Sequence, residues 1–444
     1  MYYKGGFLVI KKFADVFVVL TVVCLVALSG RIVLSRGEYM RYFFFHDVSD
    51  TGMDFFNSLA EASNGKPYES YYSSYPPASQ STYSCMNLAV PDSIRASIPE
   101  SHHDVISLRG TRLDLRTLQS PMIIFILQNV CACLLLVSVV YYKFRSCGFL
   151  SIALAAASLF SYGCLYAFER GNNILFAMIL TMTFLFGCDS ESPRTRIISH
   201  IALVIAASVK LYPAAFGIML FDGKRRGKAL IYPVCCTAGM AIGISLISLQ
   251  FFGGLGTLPL YLHCLAGFNN SESGDIVYRY GLRGITEHAF LLLYRHTGVF
   301  LPDHGMICHI ALIASMLILI LSIYYHRRHS EPPYLVAFNI SLMITLVQPQ
   351  STDYTLCFFV PVLLMQIHDF RKISSVYIVH FILTLAFVLP YPTSAISDAD
   401  NAVLRHTDVI QCLLLVSVGY KLVYTICGML RHSNASAFSK PRHS

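Results

Sequence analysis

Long apolar runs alternate with short polar segments along most of the chain. A helix needs about 20 mostly apolar residues to cross a bilayer. We therefore predict an all-α polytopic membrane protein, a single integral membrane domain over 1–444 with about 10–11 transmembrane helices. The predicted spans lie near 13–30, 121–141, 148–168, 173–188, 229–250, 305–325, 334–348, 354–369, 373–392 and 408–427.

The composition supports this interpretation. Hydrophobic residues make up 55% of the 444 residues, and charged residues make up 13%. A soluble domain usually has about 45–50% apolar and about 25% charged residues. The chain has too few charges to cover a water-soluble body of its size, and lipid is the alternative solvent.

The positions of Lys and Arg predict the orientation. The net charge is +8, but the basic residues form short clusters between apolar runs, which is typical of cytoplasmic loops rather than of a nucleic-acid surface. With the N-terminus inside, two long segments, 31–120 and 251–304, lie on the outer face. Each mixes aromatic, Gly, Pro and charged residues, which indicates a folded cap with short amphipathic helices.

One stretch conflicts with simple alternation of the spans. Arg194 and Arg196 and the basic run 223–228 must both be inside, yet about 26 residues separate them, too few for two crossings of about 20. A re-entrant hairpin over 198–223 resolves the conflict, with Pro213 ending its first helix near the tip. The alternative is a single crossing, with 251–267 as a compensating span.

Polar residues at membrane depth are costly and are therefore functional candidates. The loop after the first span contains Asp47, Asp50 and Asp54 within eight residues, and a short amphipathic helix is predicted over 54–62. A carboxylate here can act as a general base toward an acceptor hydroxyl, and Asp54 is the favoured one. Alternatively, Asp54 only caps that helix.

Two clusters in the middle of the chain fall at the same predicted outer level. Glu169 and Arg170, followed by Asn172, either hold a sugar or phosphate or form a self-satisfied ion pair between two helices. Lys210 at the hairpin tip needs an anion, and a lipid phosphate is suitable. Snorkelling, or pairing with an acid such as Glu169 or Asp54, is the alternative.

Two later segments add polar candidates. In the run 348–354, Asp353 and Tyr354 follow a Ser-Thr pair, which either caps the next helix or hydrogen-bonds a sugar. In the second outer segment, Arg279 and Arg283 share a face if the segment is helical, and they suit a phosphate or diphosphate.

The 14 cysteines do not indicate a metal site. Most of them lie inside apolar runs, where they act as small hydrophobes, and no Cys/His spacing is typical of zinc. Cys85 and Cys264 lie in the two predicted outer segments and are able to pair, although nothing fixes their spacing.

These clusters, in this order, resemble the lipid-linked-sugar transferases of the glycosyltransferase C superfamily. Within it they are most similar to the bacterial polyprenyl-phosphate-mannose-dependent mannosyltransferases of glycosyltransferase family 87. The similarity covers residues 45–360. The matching elements are Asp54, Gly65-Lys66-Pro67-Tyr68, Tyr75-Pro76-Pro77, Arg170-Gly171-Asn172-Asn173, Lys210-Leu211-Tyr212-Pro213, Lys224-Arg225-Arg226 and the run 348–354.

The chain departs from the family pattern in three ways. Gln348 stands where Ser is usual, and the stretch between Tyr75-Pro76-Pro77 and the second span is longer than expected. Trp, which often stacks on sugars, is absent. Its place would have to be taken by Tyr71, Tyr72, Tyr83 and Phe55.

The resemblance implies a reaction and a location. Asp54 would deprotonate the acceptor hydroxyl of a glycan or glycolipid. The donor would be a polyprenyl-phosphate mannose-like hexose or pentose, transferred with inversion on the outer, periplasmic face of a bacterial plasma membrane. Cations such as Lys210, Arg170 or Arg279 would hold the departing phosphate. The further substrate-binding candidates are Asp50, Tyr75, Glu169, Asn172, Tyr212, Arg283, Asp353 and Tyr354.

The resemblance also bears on cofactors and partners. A preformed phosphate leaving group lessens the need for a divalent ion, so we predict no cofactor and no obligatory metal. The expected partners are the lipid-linked donor, the acceptor and the bilayer, with no nucleic acid.

Two other functions stay open at this point. A lipid-linked polysaccharide polymerase also has many spans and outer loops, but it moves an oligosaccharide. A transporter or flippase would carry polar residues through both leaflets and usually contains an internal repeat. Here the conspicuous polar clusters lie on one side, which favours the transferase.

Overall fold

The computed structural model describes residues 4–37, 51–63, 65–70, 73–95, 115–221, 228–270, 281–299, 304–347, 353–369, 375–391 and 406–438, and these contain helices but no strand. The α-helices are α1 (Lys4–Leu34), α2 (Met53–Glu61), α3 (Pro67–Ser70), α4 (Pro77–Asn87), α5 (Asp92–Arg95), α6 (Gln119–Phe144), α7 (Phe149–Leu159), α8 (Tyr162–Arg170), α9 (Ile174–Gly187), α10 (Pro193–Val209), α11 (Lys228–Leu249), α12 (Leu258–Asn270), α13 (Leu282–Thr297), α14 (His304–Arg328), α15 (Pro333–Val347), α16 (Phe359–Asp369), α17 (Ser375–Val388) and α18 (His406–Phe438). The 3-10 helices are Arg145–Cys147, Tyr212–Leu220, Gln250–Phe252, Gly254–Thr257 and Asp353–Phe358.

Five helices in the described part of the chain are long and apolar enough to cross a membrane, namely α1, α6, α11, α14 and α18. Only 17–22% of each apolar stretch is buried inside the protein. The remaining apolar surface is suited to lipid tails, because a helix satisfies its own backbone hydrogen bonds. α7 and α8 pass the same test together, with a bend of 59° between them. The protein is an all-α polytopic membrane protein, as predicted.

Within the described ranges, the lengths of the helices support five or six full crossings, against the 10–11 expected for the whole chain. All ten predicted spans fall on helices, but α9 and α17 have 14 residues each and α15 has 15. In α15, 12 of the 15 residues are buried. Because protein rather than lipid surrounds such a helix, its apolar run has no need to match the thickness of a bilayer.

Aromatic packing joins these short helices into a core. The Phe359 ring of α16 stacks on Phe387 of α17, with the ring centroids 4.3 Å apart, and lies edge-on to Phe338 of α15 at 5.7 Å. All three rings are almost completely buried. These contacts join α15, α16 and α17 into one buried core.

The segment between α1 and α6, called the first loop, contains the amphipathic helix predicted after Asp54. This helix, α2, ends at Glu61, one residue before its predicted end. Its apolar face buries Phe55, Phe56 and Leu59 against Tyr83 of α4, with Phe125 of α6 packed against the cluster. The opposite, polar face of α2 is therefore fixed in direction.

The segment between α11 and α14, called the second loop, holds the first loop in place. Tyr68 of α3 packs against Phe252, Tyr261 and Cys264. The Cys264 thiol donates a hydrogen bond to the carbonyl oxygen of Tyr68 at 3.3 Å. Cys85 is exposed and both thiols are free, so the suggested Cys85–Cys264 pairing is wrong. Cys264 lies inside an aromatic cluster, whereas Cys85 lies on the outside of α4.

The stretch 193–220 folds back on itself. The first turns of α10 pack at the end of α9, since a Cβ on Gly187 would lie 2.9 Å from the Ser199 side chain. After Lys210 the 3-10 helix returns, and Arg327 donates a hydrogen bond to the Met219 carbonyl oxygen at 2.6 Å. Arg327 also interacts electrostatically with Cys188, which directly follows α9. Both ends of the stretch therefore lie near one end of α9, as in a hairpin, and its re-entry into a bilayer stays a prediction.

Candidate functional site

Asp54 lies in the first turn of α2 but does not cap it. The N-cap residue is Gly52, which has a left-handed conformation and makes no side-chain cap. The Asp54 carboxylate instead accepts a hydrogen bond from Asn172 Nδ2 at 2.6 Å. Arg170 Nη2 lies 3.6 Å from its other oxygen, and both side chains are largely buried. Asp54 is thus joined to the α8–α9 turn.

The α8–α9 turn is shaped to receive α2. The backbone N–H of Gly52 donates a hydrogen bond to the Glu169 carbonyl oxygen at 2.8 Å. Gly171 has φ +64°, and a Cβ there would lie 2.6 Å from Phe125 and 2.8 Å from Phe55. Glycine permits both this left-handed backbone and the close approach of the rings.

The orientation of the Asn172 amide is determined by its other hydrogen bond. Asn172 Oδ1 accepts a hydrogen bond from the backbone N–H of Ile174 at 2.9 Å. The oxygen must face that N–H, so Nδ2 is the atom that faces Asp54. The first turn of α9 therefore aims a fixed donor at the carboxylate.

The late polar run lies beside Arg170. The Arg170 guanidinium lies over the Tyr166 ring, 5.8 Å from its centroid, and that ring stacks on Tyr354 at 6.2 Å. Asp353 accepts a hydrogen bond from the Tyr162 hydroxyl at 2.5 Å. Asp353 and Tyr354 therefore contact Tyr162 and Tyr166 of α8, the helix that ends at Arg170.

Lys210 follows the last residue of α10 and has an extended backbone conformation. Only 7% of its surface is exposed. Its ammonium lies 3.8 Å from the centroid of the Tyr75 ring. It also interacts electrostatically with Asp54 and Glu61. Tyr212 begins the following 3-10 helix and is half-buried against the core. Lys210 thus lies in the same site as Asp54.

Glu61 is a carboxyl of this site that the sequence did not single out. It lies seven residues after Asp54, which places both on one face of α2. Its Oε2 accepts a hydrogen bond from Gln80 Nε2 at 2.8 Å. Burial, and secondarily the charge of Asp54, raise the pKa of Glu61 to about 7, against opposing hydrogen bonds and the charge of Lys210. The spacing of seven residues from Asp54, about two helical turns, is the sequence signal that could have identified Glu61.

Two tyrosines of the first loop differ in their surroundings, since Tyr75 contacts the Lys210 ammonium and Tyr83 lies in a buried aromatic cluster. Burial raises the pKa of both phenols above the usual value, so both stay neutral. Tyr83 and Phe55 are completely buried in the first-loop cluster, so the suggestion that these two rings stack on a sugar is wrong. Tyr71 and Tyr72 lie outside the described residues.

The site combines one ion-paired carboxylate, a second carboxyl, two cations and a neutral phenol within a buried space. The model of glycosyltransferase family 87 matches residues 114–349, which is more than half of the chain. The chain belongs to glycosyltransferase family 87. It is a membrane glycosyltransferase, which implies a sugar donor and an acceptor. Neither the search of curated proteins nor that of solved structures gave a match.

The family 87 match covers one half of the site. Arg170, Asn172 and Lys210 lie inside the matched range, whereas Asp54 and Glu61 precede it. The resemblance seen in the sequence is confirmed at the level of the family, and the transporter alternative loses its support. The family assignment does not specify the donor, the acceptor or the base.

The remaining predicted residues of this family 87 enzyme have other contacts or lie outside the described residues. Arg283 in α13 pairs with Glu287 of the same helix at 2.8 Å, and Arg279, which was expected to share a face with it, lies outside the described residues. Glu169 contributes its backbone carbonyl to Gly52, and its side chain interacts electrostatically with Arg170. The residues outside the described ranges are Asp47, Asp50, Arg279, the basic run 223–227 and the segment 348–352.

Within the described residues, no group of three or more His, Cys, Asp or Glu side chains is placed to hold a metal ion. The carboxylates of Asp54 and Glu61 accept hydrogen bonds from the side-chain amides of Asn172 and Gln80. That this family 87 enzyme needs no metal stays a prediction.

Proposed function

We propose that this glycosyltransferase moves a single mannose-like hexose or pentose from a polyprenyl-phosphate donor to a hydroxyl of a glycan or glycolipid. The observation that carries the proposal is the fixed Asp54 carboxylate beside two buried cations, Arg170 and Lys210. A base and a phosphate-binding charge are the two components that such a transfer requires.

Asp54 is the proposed general base. One oxygen is occupied by the Asn172 amide at 2.6 Å. The other lies 3.6 Å from Arg170, which is longer than a hydrogen bond, so a substrate hydroxyl has room to bind this oxygen. Arg170 places a positive charge beside this carboxylate, and a carboxylate oxygen within reach of a hydroxyl can accept its proton.

The proposed reaction is one direct displacement. The acceptor oxygen forms a bond to the anomeric carbon as the bond between that carbon and the phosphate oxygen breaks. The acceptor proton moves to Asp54, and the electron pair of the broken bond leaves with the lipid phosphate. Attack opposite the leaving group inverts the anomeric configuration.

Lys210 is the proposed partner of the departing phosphate. A buried ammonium interacts with an anion more strongly than an exposed one does, because water does not screen it. The Tyr75 ring on one side of the ammonium limits the directions from which an anion can approach. Charge-assisted contacts of this kind stabilise the charge that develops on the leaving group.

We further propose that the site faces the outer side of a bacterial plasma membrane, as the distribution of Lys and Arg favours. Donor and acceptor would then meet in the outer leaflet. A polymerase would use a lipid-linked oligosaccharide instead, and a titration of acceptors with defined monosaccharide donors distinguishes the two.

The test is transfer of radiolabelled sugar from a panel of polyprenyl-phosphate sugars. Membranes would carry the wild type, Asp54→Asn, or Asp92→Asn as a matched control, since Asp92 is 90% exposed in the same loop. We expect transfer by the wild type and the control, and a loss of about a hundredfold or more in Asp54→Asn. Transfer that survives Asp54→Asn at equal protein level would assign the base elsewhere, and transfer only from sugar nucleotides would reject the donor.

A further inference from the structure

Glu61 and Asp54 both interact with one cation. The two carboxyls lie on the same face of α2, seven residues apart. The Lys210 ammonium interacts electrostatically with each of them. Asp54 already has Arg170 as a partner at 3.6 Å. Glu61 is therefore the carboxyl that would compete with the phosphate of the donor for Lys210.

The Glu61 carboxyl is held in place by a hydrogen bond from the side-chain amide of Gln80. Gln80 Nε2 donates to Glu61 Oε2 at 2.8 Å and to Ser73 Oγ at 2.6 Å. Gln80 is completely buried, and its own Oε1 has no hydrogen-bond partner among the described residues. A buried acceptor without a partner is costly, which indicates that a substrate hydroxyl or a water binds at this point of the site.

The charge balance of the site depends on Glu61. With Asp54 and Arg170 offsetting each other, an ionised Glu61 would neutralise Lys210, whereas a neutral Glu61 leaves one net positive charge. A buried phosphate needs that positive charge.

We infer that Glu61 is a positioning residue whose charge state decides whether Lys210 is available to the phosphate of the donor. When the Glu61 carboxyl is neutral, the Lys210 ammonium pairs with the phosphate. When the carboxyl is ionised, it pairs with the ammonium in place of the phosphate. This inference rests on the proposed function, because the phosphate is that of the proposed donor. It adds a pH-dependent binding step to that function.

The direction of the pH dependence follows from the environment of Glu61. Its pKa is raised to about 7, so the carboxyl is neutral below that pH and charged above it. Donor binding should therefore weaken as the pH rises through 7. Within the described part of the chain, the titratable and charged groups that interact with Glu61 are Asp54 on its own helix, Lys210, the phenols of Tyr68, Tyr75 and Tyr83, and the Cys264 thiol.

The experiment measures the donor KM and kcat from about pH 5.5 to about pH 7.5. This range brackets the transition of Glu61 and stays below the pKa of Lys210, which burial lowers to about 8. A polyprenyl-phosphate sugar is a phosphodiester that keeps one charge over this range, so the probe itself does not titrate. We expect the donor KM of the wild type to rise about threefold to fourfold over this range, with a smaller change in kcat. Glu61→Gln should keep the low donor KM at every pH.

Two further variants separate this role from a structural one. Glu69→Gln is the matched control, since Glu69 is an exposed acid of the same loop, paired with Lys66, and it should behave as the wild type. Gln80→Leu removes a hydrogen bond that favours the ionised form of Glu61, so the rise in KM should move to higher pH. The inference would be overturned if the donor KM of Glu61→Gln rose with pH as it does in the wild type. It would also be overturned if Glu61→Gln raised the donor KM by the same factor at every pH.

A binding measurement keeps the inference testable without turnover. The purified full chain in detergent would be titrated with a farnesyl-phosphate sugar at both ends of the pH range. Binding that is tight at low pH in the wild type, and pH-independent in Glu61→Gln, supports the inference. Binding by the wild type that is pH-independent overturns the inference alone, whereas no binding of any prenyl phosphodiester contradicts the proposed donor.

Discussion

Asn172 donates a hydrogen bond to Asp54 at 2.6 Å across 118 residues of sequence. The contact joins the first loop to the α8–α9 turn, and the amide can point only one way because Ile174 holds its oxygen. Asn172→Asp would place a second carboxylate against the proposed base. We expect kcat/KM to fall about a hundredfold in Asn172→Asp and about tenfold in Asn172→Ala.

Asn173→Ala is the control for that prediction. Asn173 is also buried, but its side chain donates to Ser79 at 3.1 Å and not to Asp54. Both alanine variants should lose some thermal stability, and only the Asn172 variant should lose most of its activity. An equal loss of activity in the two would mean that the turn, rather than the Asp54 contact, is what matters.

Lys210→Met removes the ammonium that lies over Tyr75. A charge-assisted contact contributes about 1.5–3 kcal/mol, so the donor KM should rise about tenfold to a hundredfold. Lys66→Met is the comparison, because Lys66 is an exposed lysine of the first loop and its loss should leave KM unchanged. A donor KM that Lys210→Met does not alter would remove Lys210 from the phosphate site.

Gly163→Ala tests the packing beneath the site. A Cβ at Gly163 would lie 2.4 Å from the backbone nitrogen of Cys357, in the 3-10 helix that begins at Asp353. That helix must shift, with an expected loss of about 1–3 kcal/mol in the free energy of unfolding. Gly239→Ala in α11 meets no atom within 4 Å and should be neutral or slightly stabilising. Thermal unfolding of both variants in detergent provides the comparison.

Glu331→Ala tests a second polar cluster, away from Asp54. Glu331 bonds His326 at 2.5 Å and accepts a hydrogen bond from the Tyr424 hydroxyl at 2.8 Å, while Lys421 lies 3.3 Å from the same histidine. Removing one partner of such a buried group costs about 3–5 kcal/mol. Glu191→Ala, at an exposed acid, should have little effect on the unfolding midpoint.

The same cluster predicts sensitivity to acid. Burial disfavours the ionised Glu331, but hydrogen bonds from His326 and Tyr424 outweigh it and lower the pKa of this carboxyl. Its contribution to stability is therefore present above the usual pKa of about 4.3 and is lost as the pH falls through the lowered value. The acid unfolding midpoint of Glu331→Gln should lie at higher pH than that of the wild type.

The sequence alone determined the fold class and the family. Apolar runs specify helices and their membrane environment locally, because each helix forms its own hydrogen bonds and the lipid solvates whatever is apolar. The amphipathic pattern after Asp54 likewise predicted α2, whose packing of Phe55 and Phe56 follows from the periodicity of the helix. The order of the polar clusters was sufficient for the resemblance that the family model confirms.

The tertiary structure decided which of those residues meet. Nothing local says that Asn172 rather than an α2 backbone N–H is the partner of Asp54, or that Phe55 and Tyr83 form a buried cluster instead of facing a sugar. The described parts of α9, α15 and α17 are each too short to cross a bilayer alone, and in α15 most residues are buried by protein. Glu61 becomes a candidate only when Lys210, some 150 residues away, is folded against the same helix face, because electrostatic contacts depend on distance in space and not on separation along the chain.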